Sequence, residues 1–242
     1  MQFQPPEWHD RLTSTNTVLC DRFLQDNSLP DGFILAAHHQ TSGRGRLGRS
    51  WKTSDSKNLT FSFLLKSINN FHQITALPMA VAISVASALE YHGLNVQTKW
   101  PNDLLIKKRK ICGILAERPH PSSIVVGVGV NINMTLKEAS SIDQPATSFF
   151  IETGRKLSVQ SFLEHLLLPI LGDWIRKWRI DGFSALHGAW LDRCFNLGQQ
   201  IEIGDGSRRK IGILTGFGSA GQLKLLEDNG QQVEIWSGDL RA

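Results

Sequence analysis

A chain of 242 residues that is 41% hydrophobic and 20% charged can bury one substantial core and a small satellite domain, as an ordinary soluble globular protein does. Its three cysteines, Cys20, Cys112 and Cys194, are odd in number and far apart, which excludes a disulfide framework or a Cys-x-x-Cys zinc site and points to a reducing compartment. The net charge of +4 conceals an asymmetry, because residues 44–52 and 99–110 hold nine basic side chains against one acid, Asp103, while the remainder carries 17 basic and 21 acidic ones. Charge gathered into two short segments suits one compact anionic ligand better than a nucleic-acid coat.

The start, Met1-Gln2-Phe3-Gln4-Pro5-Pro6-Glu7, lacks the basic opening and apolar run of a signal peptide. The longest apolar stretch, residues 77–89, is too short and too rich in serine to span a bilayer. No membrane association is expected, and the expected location is cytoplasmic. Ser14-Thr15-Asn16 places three small hydrogen-bonding side chains at a helix start, where a simple cap is the alternative reading. Residues 33–39 form a mostly apolar run that reads as a buried strand, and residues 58–66 as a second strand. Alanines and aliphatics recur at helical spacing over 74–91, with Gly93 as the stop. Residues 96–100 predict a strand ended by Pro101, and 104–106 with 111–116 predict a hairpin around the turn Lys107-Lys108-Arg109-Lys110. The Val/Gly/Ile run 123–132 predicts a strand buried on both faces. Residues 133–146 have no period and predict a loop, while 162–178 and 185–194 predict helices. Beyond residue 195 the spacing changes to short strands at 200–203, 210–217, 221–226 and 231–236, separated by Gly, Asp and Asn turns. The division predicted is an α/β catalytic domain over 1–195 and a small β domain over 196–242.

The densest signal is Gly43-Arg44-Gly45-Arg46-Leu47-Gly48-Arg49, closed by Trp51. Glycines let backbone N–H groups approach a ligand, and arginines offer planar, permanently charged donors to phosphate and carboxylate oxygens. The segment lacks the Gly-Lys-Ser/Thr ending of a Walker A loop, and no helical pattern follows it as a dinucleotide fold requires. It reads as a loop that closes over an anion; a solvated basic loop or an RNA-binding Arg-Gly segment is the alternative.

Taken in order with Lys99-Trp100-Pro101-Asn102-Asp103, with Arg109-Lys110-Ile111-Cys112-Gly113-Ile114-Leu115-Ala116-Glu117 and with Gly127-Val128-Gly129-Val130-Asn131-Ile132-Asn133, these segments resemble the biotin protein ligases. That resemblance implies a class II synthetase-like mixed sheet with helices on one side, followed by an SH3-like C-terminal β-barrel. It implies two half-reactions: biotin and ATP give biotinyl-5′-AMP and pyrophosphate, and a lysine of a biotin carboxyl carrier protein, as in acetyl-CoA carboxylase, then takes the biotinyl group. Many bacterial relatives carry a winged-helix DNA-binding domain ahead of the catalytic one. Ser14 stands thirteen residues from the start, so a ligase without repressor function or specific DNA binding is expected.

By the same resemblance Ser14, Thr15, Asn16 and Gln40 would hold the ureido head of biotin. Gly43, Arg44, Gly45 and Arg46 would form the ordering loop, Arg44 and Arg46 reaching carboxylate and phosphate. Arg49 and Trp51 would face the triphosphate and adenine. Lys110 would sit between the biotin carboxylate and the α-phosphate as the catalytic cation with Arg46, and Gly113 would admit the ligand close to the backbone. Asn102, Asp103 and Asn131 would serve the nucleotide or its Mg²⁺, and Arg241 would touch ATP. No carboxylate cluster identifies Mg²⁺ ligands, and residues 134–146 would cover the adenosine. Lys107, Lys108 and Arg109 are expected in a solvated turn, Arg46 is expected to be exposed, and Lys110 is expected to lack an acidic partner. Cys112 reads as a small apolar strand residue rather than a nucleophile. A lipoyl or octanoyl transferase of the same superfamily is the near alternative, and a nucleic-acid-binding module the distant one.

Overall fold

The run Leu59-Thr60-Phe61-Ser62-Phe63 sets the plan of the molecule, because alternate residues of a strand face opposite sides of its sheet. In β3 (Leu59–Lys66) the side chains of Phe61, Phe63 and Leu65 enter the main core, while Leu64 joins a separate, smaller one. The computed structural model describes residues 1–52, 57–68, 71–204 and 209–241, the side chains of 71–73 and 241 excepted. β3 lies within a seven-stranded sheet with β1 (Glu7–Leu12), β2 (Ile34–Gln40), β4 (Gln97–Lys99), β5 (Asp103–Ile106), β6 (Arg109–His120) and β7 (Ser123–Val130). The spatial order is β1-β2-β3-β7-β6-β5-β4. Only β1 and β2 run parallel; every other pair is antiparallel.

The alanine-rich α2 (Phe71–Glu90) and the later α6 (Leu168–Asp181) cover one face, where Ala80, Ile83, Leu171, Ile175 and Trp178 are fully buried. α1 (Thr15–Gln25) lies on the other face and brings Leu19 and Phe23 against Leu35, Leu64 and Val125. Helices on one side therefore describes the two long helices; the short α1 is the addition. α1 is only eleven residues long, so it covers part of that face, and at its N-terminus the glycines of β6 and β7 are covered by single side chains, Trp51 and Asn16. That part of the face holds the site.

Several boundaries differ from the sequence expectation. β1 was not foreseen, since Trp8-His9-Asp10-Arg11 is a half-buried edge strand with no clean alternation. The loop expected over 133–146 contains one helical turn, α3 (Leu136–Ala139), held by a reciprocal Thr135–Glu138 capping box. After α4 (Phe149–Thr153), the long helix begins as α5 (Val159–Ser161) and a π-helical stretch, Phe162–Leu167, before α6. The helix expected over 185–194 shortens to α7 (His187–Leu191).

The chain then forms a second, antiparallel sheet from β8 (Gln200–Ile203), β9 (Lys210–Phe217), β10 (Leu223–Leu226), β11 (Gln232–Ile235) and β12 (Leu240–Arg241), in the order β11-β10-β9-β8-β12. Its inner residues Leu214, Phe217, Leu223 and Leu225 belong to the same apolar cluster as α2 and the first sheet. Phe217 packs edge-on against Trp190, and the Trp100 indole N–H donates to Gly221 O at 3.0 Å. This docking carries Gly238, Asp239 and β12 back to the open face of the first sheet.

Candidate active site

The floor is a pair of glycines. Gly113 of β6 and Gly129 of β7 are direct register partners, and the Trp51 indole lies flat enough on them that a Cβ on Gly129 would collide with its ring. Gly127, two residues along β7, is likewise close to the Asn16 amide. Three glycines on one face of two strands thus leave room that any side chain would fill.

Beside the floor, a buried cluster of neutral polar groups gathers at the N-terminus of α1. Ser14 caps the helix, accepting from Thr17 N. Gln40 Oε1 accepts from Thr15 N at 2.7 Å and faces Thr15 Oγ1 at 3.2 Å. The Ser62 hydroxyl lies 2.7 Å from Thr15 Oγ1 and 2.6 Å from Asn16 Oδ1. Asn16 Nδ2 donates to Leu115 O at 3.2 Å and to Glu117 Oε2 at 2.9 Å. A site rich in hydroxyls and amides, poor in charge and fixed by its own hydrogen bonds is suited to a neutral bidentate ligand.

The Gly/Arg loop folds back on itself. Trp51 N donates to Gly43 O at 2.8 Å, Gly45 N to Arg49 O at 2.7 Å, and Arg44 bridges to Ser50. Leu47 and Gly48 turn the chain with φ of 54° and 74°. Each arginine has an internal partner. Arg44 donates to Glu117 Oε1 at 2.6 Å and Thr17 Oγ1 at 3.1 Å. Arg46 donates to Asn102 Oδ1 at 3.0 Å and to Gly238 O, with Asp239 at 3.7 Å, and Arg49 pairs with Asp239. The expectation that Arg46 is exposed is corrected: its side chain is 24% exposed because Asn102 and the 238–239 segment close around it.

Lys110 requires a second correction. Its Nζ is 2.7 Å from Asp103 Oδ1, so it does have an acidic partner, supplied by the facing strand β5. It also lies 5.9 Å from the Trp51 ring centroid. Its backbone is pinned on both sides, N–H to Pro145 O and C=O from Thr147 N, each at 2.9 Å, while Asn131 Nδ2 donates to Thr147 O at 3.0 Å. The solvated turn is narrower than expected. Lys107 and Lys108 make it, both with positive φ, but Arg109 donates to Glu152 at 2.7 Å. The Glu152 carboxylate is 3% exposed and also takes Lys107 at 3.2 Å and the Thr147 hydroxyl at 2.5 Å.

Two connected compartments result. The larger, about 630 Å³, is lined by Arg49, Lys99, Asp103, Lys110, Gln144 and Asp239 among others. The smaller, about 70 Å³, is lined by Ser14, Thr15, Asn16, Gln40, Gly113 and Gly129. Arg49, Trp51, Asn102, Asp103 and Lys110 border both. All the sequence-selected residues from Ser14 to Asn131 thus line or adjoin one continuous site, except that Gly43 borders a neighbouring cleft. The backbone of Arg241 pairs with Glu202; its side chain lies outside the described residues. Cys112 lies buried in the core, and burial pushes its thiol well above the usual range, away from the thiolate form that a nucleophile needs.

The sequence reading gave no role to Ser62, Lys99, Glu117, Gln144, Glu152 or Asp239. Ser62 had a signal, as a polar residue alternating with Phe61 and Phe63. Asp239 had none, since it reaches the loop from 190 residues away.

Neutral polar groups thus lie beside a cavity lined by cations and acids, and comparison gives the class: the chain belongs to the Biotin/lipoate A/B protein ligase family, whose model matches residues 8–134. Among relatives, the biotin--[acetyl-CoA-carboxylase] ligase of Paracoccus denitrificans is 31% identical over 92% of this chain and 95% of its own. The bifunctional ligase/repressor BirA of Bacillus subtilis is 28% identical over 96% of this chain and 72% of its own. The structure of a biotin protein ligase from Aquifex aeolicus in complex with biotin and ATP superposes with a TM-score of 0.85, at 29% identity, covering 99% of this chain and 98% of that one.

Proposed function

We propose that the smaller compartment takes the head of biotin and the larger one ATP, with Lys110 and Arg46 acting on the atoms between them. The chain is an ATP-dependent biotin protein ligase. A biotin carboxylate oxygen attacks the α-phosphorus of ATP, an acyl–O–P bond forms, and the bond to the β-phosphate breaks to release pyrophosphate. The amine of an acceptor lysine then attacks the acyl carbon, loses a proton, and expels AMP as the amide forms.

The observation that carries the residue assignment is the shared border. Of the two compartments, Ser14, Thr15, Asn16 and Gln40 line only the smaller, whereas Lys110 borders both it and the larger one. An ammonium at that junction stabilises charge growing on the phosphoryl and carbonyl oxygens, and Arg46 offers a planar donor to the same atoms. Arg44 and Arg49 neutralise carboxylate and triphosphate by exchanging Glu117 and Asp239 for ligand oxygens. Gly43 and Gly45 let the loop follow, and Gly113 lets the acyl chain lie on the sheet. With Trp51 on the floor, about 70 Å³ is left there, below the roughly 300 Å³ of small-molecule pockets. The indole therefore moves aside to admit biotin; its N–H has no hydrogen-bond partner among the described residues to hold it.

Mg²⁺ arrives with the nucleotide. Among the described residues no three His, Cys, Asp or Glu side chains gather to hold a resident ion. Asp103, with Asn102 and Asn131, faces the nucleotide cavity and fits a phosphate-borne ion through water. Arg241 reaches toward ATP from β12, and residues 1–195 and 196–242 form the catalytic and C-terminal domains. The acceptor is the biotin carboxyl carrier part of acetyl-CoA carboxylase, and the location is cytoplasmic; no helix among the described residues is long and apolar enough to cross a membrane. Purified protein given Mg·ATP should release pyrophosphate with biotin and retain biotinyl-5′-AMP by mass spectrometry. Release with lipoate or octanoate but not biotin would overturn the assignment.

A further inference from the structure

Among the described residues, Lys99 lines this site without a hydrogen bond or ion pair of its own. It ends β4, directly opposite Asp103 in the β4–β5 register, and its side chain lines the larger compartment. The other cations on that wall are engaged: Arg49 by Asp239, Lys110 by Asp103, and Lys52 by Ser141 O at 2.7 Å. Among the described residues no hydrogen bond or ion pair to the Lys99 ammonium is found. It is also partly buried, and burial, with Lys110 and Arg49 nearby, pushes its pKa down against the opposing pull of Asp103 and Asp239. A half-buried ammonium without a partner is unfavourable on its own. It becomes favourable when a polyanion enters.

Its place relative to Lys110 says which part of the polyanion. Lys110 borders both compartments, which puts it at the junction where biotin and the α-phosphate meet. Lys99 borders only the larger one, on the side away from the neutral cluster of Ser14, Thr15 and Gln40. In adenylation the bond from the α-phosphorus to the bridging oxygen breaks, and its electron pair leaves on pyrophosphate. The group that most needs a cation is therefore the β,γ end, beyond the reach of the biotin pocket. Resting on the ligase reading above, we infer that Lys99 binds the β,γ-phosphates of ATP and stabilises the departing pyrophosphate, as a second catalytic lysine whose task is separate from that of Lys110.

Lys99→Met keeps the length of the side chain and removes its charge; Lys99→Arg keeps the charge. Direct binding of inorganic pyrophosphate, measured by calorimetry, reads the residue without any chemistry, and biotin-dependent ATP–pyrophosphate exchange reads it in turnover. Lys99→Met should weaken pyrophosphate binding about tenfold and slow adenylation at saturating biotin about 10- to 100-fold. Biotin affinity, melting temperature and transfer from supplied biotinyl-5′-AMP should stay within about twofold of wild type or unchanged, and Lys99→Arg should recover most of the loss. Unaltered pyrophosphate binding in Lys99→Met, or an equal loss in adenylation and in transfer from biotinyl-5′-AMP, overturns the inference. Wild-type protein that shows no biotin-dependent exchange, yet loses pyrophosphate affinity in Lys99→Met, would instead leave Lys99 an anion-binding residue and remove the ligase reading.

Discussion

Lys110 carries its ammonium within ion-pair distance of Asp103, with both side chains about four-fifths buried at 17% and 20% exposure. The pair gives this strand lysine a counter-charge within the cleft before any ligand oxygen reaches it. Lys110→Ala should lower the rate of adenylate formation about a hundredfold, on the order of 3 kcal/mol of lost transition-state stabilisation. Transfer from supplied biotinyl-5′-AMP should suffer less, because the amine attacks the acyl carbon there and no pentacoordinate phosphorus has to be stabilised. Rapid-quench measurement of both half-reactions decides it; equal losses would make Lys110 a binding group common to both. At this scale the sequence told much about identity and little about pairing. Gly43, Arg44, Gly45 and Arg46 stand out because few packing roles call for alternating glycine and arginine. That Glu117 and Asp239 neutralise those arginines was hidden, since acids at such distances in the chain meet them only through the register of β6 and the return of the second sheet. Glu117 and Asp239 thus offset two of the four positive charges in residues 44–52 within the fold.

At the scale of elements, the β5–β6 hairpin and the 145–147 segment are held as one unit by Glu152. Its buried carboxylate joins Arg109, next to Lys110, with Thr147, whose backbone N–H bonds Lys110 O. Glu152→Gln should cost about 2 kcal/mol in denaturant unfolding by leaving a partly buried guanidinium without its anion. It should also reduce adenylation about tenfold by loosening Lys110. Lys107→Gln, at a side chain 76% exposed, should change neither. A Glu152→Gln protein with full adenylation activity would show that Lys110 is placed by the strands alone. The Gly/Arg loop is a second such unit, anchored through Arg46 and Arg49 to the 238–239 segment. Asp239→Asn should speed amide exchange across residues 43–51 in protein without ligands, while β9 and β10 keep their protection. Unchanged exchange in the loop would mean that its own backbone hydrogen bonds hold it.

For the molecule as a whole, the two sheets share one apolar interior, with Trp100, Trp190, Met79 and Phe183 packed among the first sheet's helices and the residues of the second. Tryptophan fluorescence and far-ultraviolet circular dichroism should therefore report one coincident urea transition. Two separated transitions would mean that the second sheet unfolds alone. Strand alternation in β3, the glycine-valine run of β7 and the alanine spacing of α2 made the central sheet and its main helical cover readable from sequence, because each buries a whole face with its own period. β1, β12 and the turn α3 were not, because a half-buried edge, a two-residue strand and a single capped turn carry too few residues to show a period. The return of residues 238–241 to the Gly/Arg loop has a further consequence for how the protein is made. Arg49 and Asp239 are 190 positions apart, which at about 5–20 residues per second separates their synthesis by roughly 10–40 s. Through that interval Arg46 and Arg49 of the nascent loop lack their late-arriving carboxylate and face the anions of the ribosome that is producing it.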